Sequence, residues 1–230
     1  MRRAYIFAML VVLAAPGVAR GGEIIDRIIA VVNNTPVMLS DWDEIWRCEA
    51  LLAGRAPESY SAAEQQDMFN RLVDQELLRE QMRTYGMLEI AEAEVGKRLQ
   101  EVRAQLADDS DTKWRATLQT AGVTEGELRY HLQRQMELER FVDSRFRAGI
   151  RVDDRAVTRY YYNEFLPELH KAGGKDVALD EVAGKIREIL AQQQMEEQLT
   201  AWVQLLREQA DIRTPQEISG DSKVEVTGSK

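Results

Sequence analysis

A long amphipathic segment near the C-terminal end constrains the fold more than any other feature of the sequence. Residues 178–209 carry apolar side chains at helical spacing, which we interpret as one stripe running from Val182 to Leu206. A helix of about 30 residues is about 45 Å long, and its apolar side must pack against other elements to be stable. The sequence therefore predicts that this helix folds back across a body formed by the preceding residues.

Six shorter helices are predicted before this segment, two of them from clear signals at their first residues. Ser61 with Glu64, and Thr124 with Glu127, form capping-box pairs. The six predicted helices cover about 40–53, 61–85 and 91–107, a short stretch around Trp114 and Leu118, 125–148, and a stretch that starts at Asp153 or Asp154.

A small β-hairpin is predicted ahead of the helices. Its strands lie near 27–32 and 36–39, where β-branched residues flank an Asn-Asn turn. Ser40 is predicted to cap the first helix, and residues 211–213 to add a third short strand. The predicted fold is therefore mainly α, with an N-terminal β-hairpin, a helical body and a long C-terminal helix packed on it.

Both ends of the chain are predicted to lie outside this body. A basic start, an apolar run over 4–15, and small residues at Gly17 and Ala19 are typical of a cleavable export signal. The apolar run is shorter than the roughly 20 residues of a membrane span, although an uncleaved anchor is the alternative. The predicted boundaries are a signal at 1–19, an N-terminal domain at 20–166, a linker at 167–177, the C-terminal helix and strand at 178–213, and a disordered tail at 214–230.

Charge and side-chain chemistry exclude several classes of function. The formal net charge is −9, which disfavours a general nucleic-acid binder. Two histidines leave little for a zinc site, and no P-loop, G-x-S-x-G, H-E-x-x-H or G-x-G-x-x-G motif occurs. The single cysteine, Cys48, is interpreted as a buried small residue or as a bridge between chains. We therefore expect no catalytic residues, no metal site and no cofactor.

Aromatic side chains are the remaining candidates for a binding surface. Residues 160–162 are three consecutive tyrosines, which on a helix point about 100° apart and cannot all face one core. Aromatic and methionine side chains together adapt to varied apolar ligands, although any single one is also explained as core. The candidate binding residues are Trp42, Trp46, Tyr161, Tyr162, Phe165 and Trp202.

The order and spacing of several blocks resemble one known family over about residues 24–166. Residues 30–41 are similar to the strand, turn, strand and Ser-Asp helix start that open the SurA family of periplasmic chaperones. The further similar blocks are residues 71–78, Gly86, 92–95, 122–146 and 152–154 leading to Tyr160 and Tyr161.

The resemblance implies a helical body with a small sheet and an extended crevice that binds unfolded outer-membrane proteins without ATP. Family members usually carry parvulin-type prolyl isomerase domains between the sixth helix and the C-terminal helix. Only residues 166–177 occupy that place here. The chain therefore resembles the chaperone module alone, and we do not expect it to be an enzyme.

The leading hypothesis is an ATP-independent periplasmic holdase that reaches the periplasm by its cleavable signal. Its expected partners are unfolded outer-membrane or exported proteins, with no nucleic acid and no stable membrane insertion after signal cleavage. One alternative is a protein of the peptidyl-prolyl isomerase family, and another is a dedicated envelope assembly partner for one client. A long helix on a linker also allows a homodimer formed by exchange of the C-terminal helix.

Overall fold

The computed structural model describes residues 26–86 and 89–214. The predicted signal at 1–19 and all but the first residue of the predicted tail at 214–230 lie outside these ranges. Over the described ranges, no helix combines the length and the apolar character that crossing a bilayer requires.

Three short antiparallel strands form one sheet in the order β2-β1-β3. β1 covers Ile28–Val32, β2 covers Thr35–Met38 and β3 covers Ile212–Arg213. Asn33 has a positive φ in the β1–β2 turn, and its side-chain oxygen accepts a 2.9 Å hydrogen bond from the Asp211 backbone N–H. The hairpin and the third strand are confirmed, and one asparagine both makes the turn and anchors the strand from the other end of the chain.

The first helix, α1, covers Leu39–Leu52 and is anchored differently from the prediction. Ser40 lies inside the helix, where its backbone N–H donates to the Asp26 carboxylate at 3.2 Å and its hydroxyl donates to the same group. The prediction of Ser40 as the cap is wrong because β2 runs directly into the helix at Met38 and Leu39. The hydroxyl bond from Ser40 lowers the pKa of Asp26, so the anchoring carboxylate stays ionised.

Four further helices complete the body. They are α2 at Ala62–Tyr85, α3 at Glu92–Ala107, α4 at Asp111–Ala121 and α5 at Glu125–Phe146. Both predicted capping boxes are confirmed, since the Ser61 and Thr124 hydroxyls accept from the backbone N–H groups three residues later. The buried residues between α1, α3, α4 and α5 are Cys48, Leu51, Leu99, Val102, Ala107, Trp114, Leu118, Val123, Leu128 and Leu132.

The lone cysteine belongs to this core. Cys48 has no exposed surface, and burial raises the pKa of its thiol to about 12. A buried thiol that stays protonated is a small apolar residue rather than a reactive group. Of the two interpretations drawn from the sequence, the structure supports the buried residue.

The predicted linker begins too early. α6 covers Asp154–Tyr160, with the Asp153 carboxylate as its cap, and continues through a π-helical turn at Tyr161–Phe165 into α7 at Leu166–Lys171. Pro167 is the second residue of α7, a first-turn position where a missing N–H is tolerated. Only the seven residues 172–178 connect α7 to the last helix.

The long helix, α8, covers Leu179–Gln209 and packs back on the body as predicted. Near its start, Ile186 is buried against Val157 and Tyr161 of the preceding helix. Near its end, Leu206 packs on the core formed by the sheet and α2, and Arg207 pairs with Asp74. The helix therefore bridges two separate clusters, rather than resting along its whole length on one.

Candidate functional site

The six aromatic residues singled out from the sequence do not meet in one crevice. Trp42 and Trp46 lie on α1, beside the sheet and α2, whereas Tyr161, Tyr162 and Phe165 lie beside the N-terminal part of α8. The cluster that contains Trp42 contacts α8 at Leu206, and the cluster that contains Tyr161 contacts it at Ile186. These two positions are about 20 residues apart, a distance of ~30 Å along the helix.

The two tryptophans of α1 form part of an open groove. Their rings stack with centroids 5.5 Å apart, and Trp46 also contacts Tyr60 edge to face. Trp42 is half-buried and Trp46 is nearly buried. The groove, which we call the tryptophan groove, has a volume of about 1000 Å³, and its other apolar side chains are Leu51, Pro57 and Leu106.

The tyrosine cluster is mostly core. Tyr161 is buried, its hydroxyl donates a 2.6 Å hydrogen bond to the Val177 carbonyl, and its ring stacks on Phe165 at 5.8 Å. Tyr162 is 60% exposed and contacts Tyr161 edge to face. Tyr161 therefore fastens the connector between α7 and α8, and only Tyr162 presents its ring to solvent.

Trp202 of α8 is half-buried against the end of α5. Its ring lies 6.1 Å from that of Phe141 and 5.6 Å from that of Phe146. The Arg145 guanidinium covers the same ring at 4.4 Å from its centroid, a cation–π contact. Trp202 thus helps to dock α8 on α5.

A groove that the aromatic residues did not reveal runs along α8. Two adjoining hollows of about 820 and 660 Å³ share Arg147, Gln192 and Met195, and we call the two together the α8 groove. It extends along α8 from Gly184 to Leu199, a length of ~22 Å. Its apolar side chains are Leu78, Ile90, Met136, Leu138, Val142, Ile150, Val152, Ile189, Ala191, Met195 and Leu199.

The composition of this groove is aliphatic and methionine-rich. Met136 and Met195 come from α5 and α8, and their flexible thioethers can follow ligands of different shape. A length of ~22 Å fits about six or seven residues of extended chain. The sequence signal for the groove was weak, because its lining comes from α2, α5, α8 and the residues after α5, each of which also supplies core residues.

The described residues offer no ready metal centre. Within residues 26–86 and 89–214, no group of three or more His, Cys, Asp or Glu side chains is placed to hold a metal ion. His131 is buried, and its Nε2–H donates to the Glu49 carboxylate at 3.0 Å. His131 therefore links α5 to α1 through its hydrogen bond with Glu49.

Comparison with known proteins places the chain in a family. A family model described as the SurA-like N-terminal domain matches residues 3–142, more than half of the chain. A search of curated proteins finds no match. Domains of the matched family are chaperone-type domains of periplasmic proteins rather than catalytic ones. On the strength of this match, together with the sheet and helical body described above, the chain belongs to the SurA-like N-terminal domain family.

Proposed function

We propose that this protein is an ATP-independent holdase of the periplasm, which binds unfolded outer-membrane or exported proteins and keeps them from aggregating. The observation that carries the proposal is the α8 groove, two adjoining hollows that are open to solvent and mainly apolar, with charged side chains among their lining. A family of chaperone-type domains supports the same role. Export by the signal at 1–19 is part of the proposal, and sequencing the periplasmic protein should then give Arg20 as its first residue.

The chemistry of the groove suits an unfolded β-barrel protein. Such a chain exposes apolar side chains on alternate residues, and burial of each is worth about 25 cal/mol per Å² of apolar surface. Methionine side chains rearrange around different sequences at little cost, which favours breadth over selectivity. Binding and release then need no ATP hydrolysis. Release follows because folding of the client competes with its binding to the groove.

The tryptophan groove and Tyr162 are proposed as further contacts for the same clients. Trp42 is half-buried and Tyr162 is exposed, so both rings can gain buried surface on contact with a client. Tyr161 and Phe165 pack in the core beside α8, and Trp202 packs against α5, so these three are assigned to stability.

The direct test is suppression of aggregation by residues 20–230. A denatured outer-membrane β-barrel protein is diluted into buffer without nucleotide, and light scattering is followed with and without the chain. We expect suppression near a stoichiometric ratio and none from a folded acidic control protein. A folded sample that fails to suppress scattering would contradict the holdase proposal and point to a dedicated partner of one client.

Two matched variants on α8 localise the activity. Ile189 lies in the α8 groove and is 42% exposed, whereas Leu205 is 52% exposed and lies outside both grooves. Ile189→Lys places a charge in the groove without removing core, so it should weaken suppression several-fold. Leu205→Lys should leave suppression unchanged. Equal effects of the two substitutions would mean that the α8 groove does not hold the client.

A further inference from the structure

A polar pocket lies between β2, α1, α2 and α5, and Leu138 lines both this pocket and the α8 groove. Its volume is about 320 Å³, and three arginines line one side of it: Arg79 and Arg83 from α2, and Arg134 from α5. We call it the arginine pocket. The apolar side chains of Pro36 and Ile45, which are at least partly exposed, also line it. The pocket is therefore large enough for about one side chain with a charged group beside it.

The arginines outnumber the carboxylates that pair with them. Arg79 and Arg83 share the single carboxylate of Glu76, at 3.3 and 3.1 Å, and Glu76 is only 8% exposed. Over the described part of the chain, no ion pair joins Arg134 to an acidic residue. Its Nη1 donates instead to the Tyr130 hydroxyl at 2.5 Å. Three guanidinium groups thus meet one carboxylate.

The other acidic residues on the pocket wall do not balance this excess. The Asp41 carboxylate accepts from the Met38 backbone N–H. Burial, and after it the charges of Glu127 and Asp41, raise the pKa of Glu44 against the opposing charges of His131 and Arg47. Over the described residues, neither Asp41 nor Glu44 forms an ion pair with Arg79, Arg83 or Arg134.

Burial makes the unbalanced charge costly. The side chain of Arg79 is only 17% exposed, and burial, followed by the charge of Arg134, lowers the pKa of its guanidinium. Guanidinium groups bind carboxylates through paired N–H donors, and such charge-assisted bonds strengthen away from water. An added carboxylate between Arg79 and Arg134 would relieve their repulsion.

We infer that the arginine pocket is a binding site for the carboxylate of a peptide, with an adjacent apolar side chain resting on Pro36 and Ile45. The carboxylate is either the C-terminal group of a chain or the side chain of an aspartate or glutamate. This site goes beyond the proposed holdase activity, because it selects a charged group, whereas the α8 groove binds apolar surface.

Calorimetric titration of residues 20–230 with three acetylated hexapeptides tests the inference. The first ends in leucine with a free carboxylate, the second is the same peptide as a C-terminal amide, and the third is that amide with one internal glutamate. We expect the free acid or the glutamate peptide to bind at least about tenfold more tightly than the plain amide. Whichever of the two binds identifies the source of the carboxylate. Equal affinity for all three peptides would overturn the inference.

Variants assign the binding to this pocket. Arg134→Gln should weaken binding of the preferred peptide about tenfold. Arg83→Gln is a second variant that removes one positive charge from the pocket, at a side chain that is half exposed. Arg115→Gln on the exposed face of α4 is the matched control and should change nothing. Unchanged affinity for the peptide in both pocket variants would exclude the arginine pocket as its binding site. Ile189→Lys should keep peptide affinity, so a failure of the holdase proposal is distinguishable from a failure of this one.

Discussion

One partly buried carboxylate joins two helices of the body. Glu49 of α1 accepts hydrogen bonds from His131 Nε2 at 3.0 Å and from Gln135 Nε2 at 2.8 Å, both on α5. The bond from His131 is the largest cause that lowers the pKa of the Glu49 carboxyl. His131 is thus one of two donors that favour the ionised form of this carboxylate.

This arrangement predicts a pH-dependent stability. Because the folded pKa of Glu49 is lowered, its ionised form stabilises the folded state above the ordinary pKa of a glutamate, and this contribution is lost as the pH falls through the folded pKa. Glu49→Gln should therefore lower the free energy of unfolding by about 1–2 kcal/mol at neutral pH and by less in acid. Urea unfolding at about pH 7 and about pH 4 measures both values.

The control for this prediction is Glu197→Gln, an exposed position on α8 where we expect no change at either pH. A loss of stability in Glu49→Gln that is the same at neutral and acid pH would contradict the role of the charge. It would leave only the shape of the side chain as the cause.

Chemistry between near neighbours was the part of this fold that the sequence predicted best. The Ser61 and Thr124 caps depend on a partner three residues away, so they are visible without any knowledge of the fold. The Ser40 cap was wrong because its real partner, Asp26, is 14 residues away and reaches it only through the hairpin. Local signals therefore predict a helix end correctly where the cap has a local partner, and they fail where a tertiary contact takes its place.

At the scale of elements, α8 uses two faces rather than the single stripe that we interpreted from its sequence. Ile186 and Leu206 are 20 residues apart, which places them about 200° apart around the helix. Met195 lies about 180° from Ile186, on the same face as Leu206. One face therefore packs on α6 near the start of α8, and the opposite face turns toward α5 and α2 farther along.

This change of face predicts how stability is distributed along α8. Ile186 is almost fully buried against Val157 and Tyr161, so Ile186→Ala should lower the free energy of unfolding by about 2–4 kcal/mol. Ile189→Ala, three residues later on an exposed position, should cost less than about 1 kcal/mol. Urea unfolding compares them, and similar losses would mean that burial at the start of α8 is not confined to the face of Ile186.

The connector before α8 shows why proline and glycine, which often end helices, can mislead the prediction of a helix boundary. Pro167 and the pair Gly173-Gly174 predicted a linker from 167 onward, yet α7 continues to Lys171. The π-helical turn at Tyr161–Phe165 shifts the hydrogen-bond pattern just before the proline, so Pro167 falls in the first turn of a helical segment. Gly173, with its positive φ, lies just beyond the point where the helix ends.

At the scale of the whole molecule, the fold class was predictable from the sequence and the proposed α8 groove was not. Hydrophobic spacing is a property of each segment, so it predicted the helices and the packing of α8 on the body. The α8 groove joins Leu78, Met136 and Met195, which are close only after α2, α5 and α8 have assembled. Aromatic residues attracted attention because they are large, and in the structure Tyr161, Phe165 and Trp202 pack against neighbouring elements.

Two of the proposed sites, the α8 groove and the arginine pocket, depend on different forces, and salt distinguishes them. The α8 groove is apolar, so binding of a labelled unfolded client should hold or strengthen as ionic strength rises from about 0.05 to about 0.5 M. The arginine pocket attracts a carboxylate to an otherwise acidic chain of net charge −9, so peptide affinity should fall over the same range. Fluorescence anisotropy of the client and calorimetry of the peptide measure the two responses.

Arg134→Gln should flatten the salt dependence of peptide binding and leave the salt dependence of client binding unchanged. If client binding weakened with salt in parallel with the peptide, charge rather than the α8 groove would be holding the client.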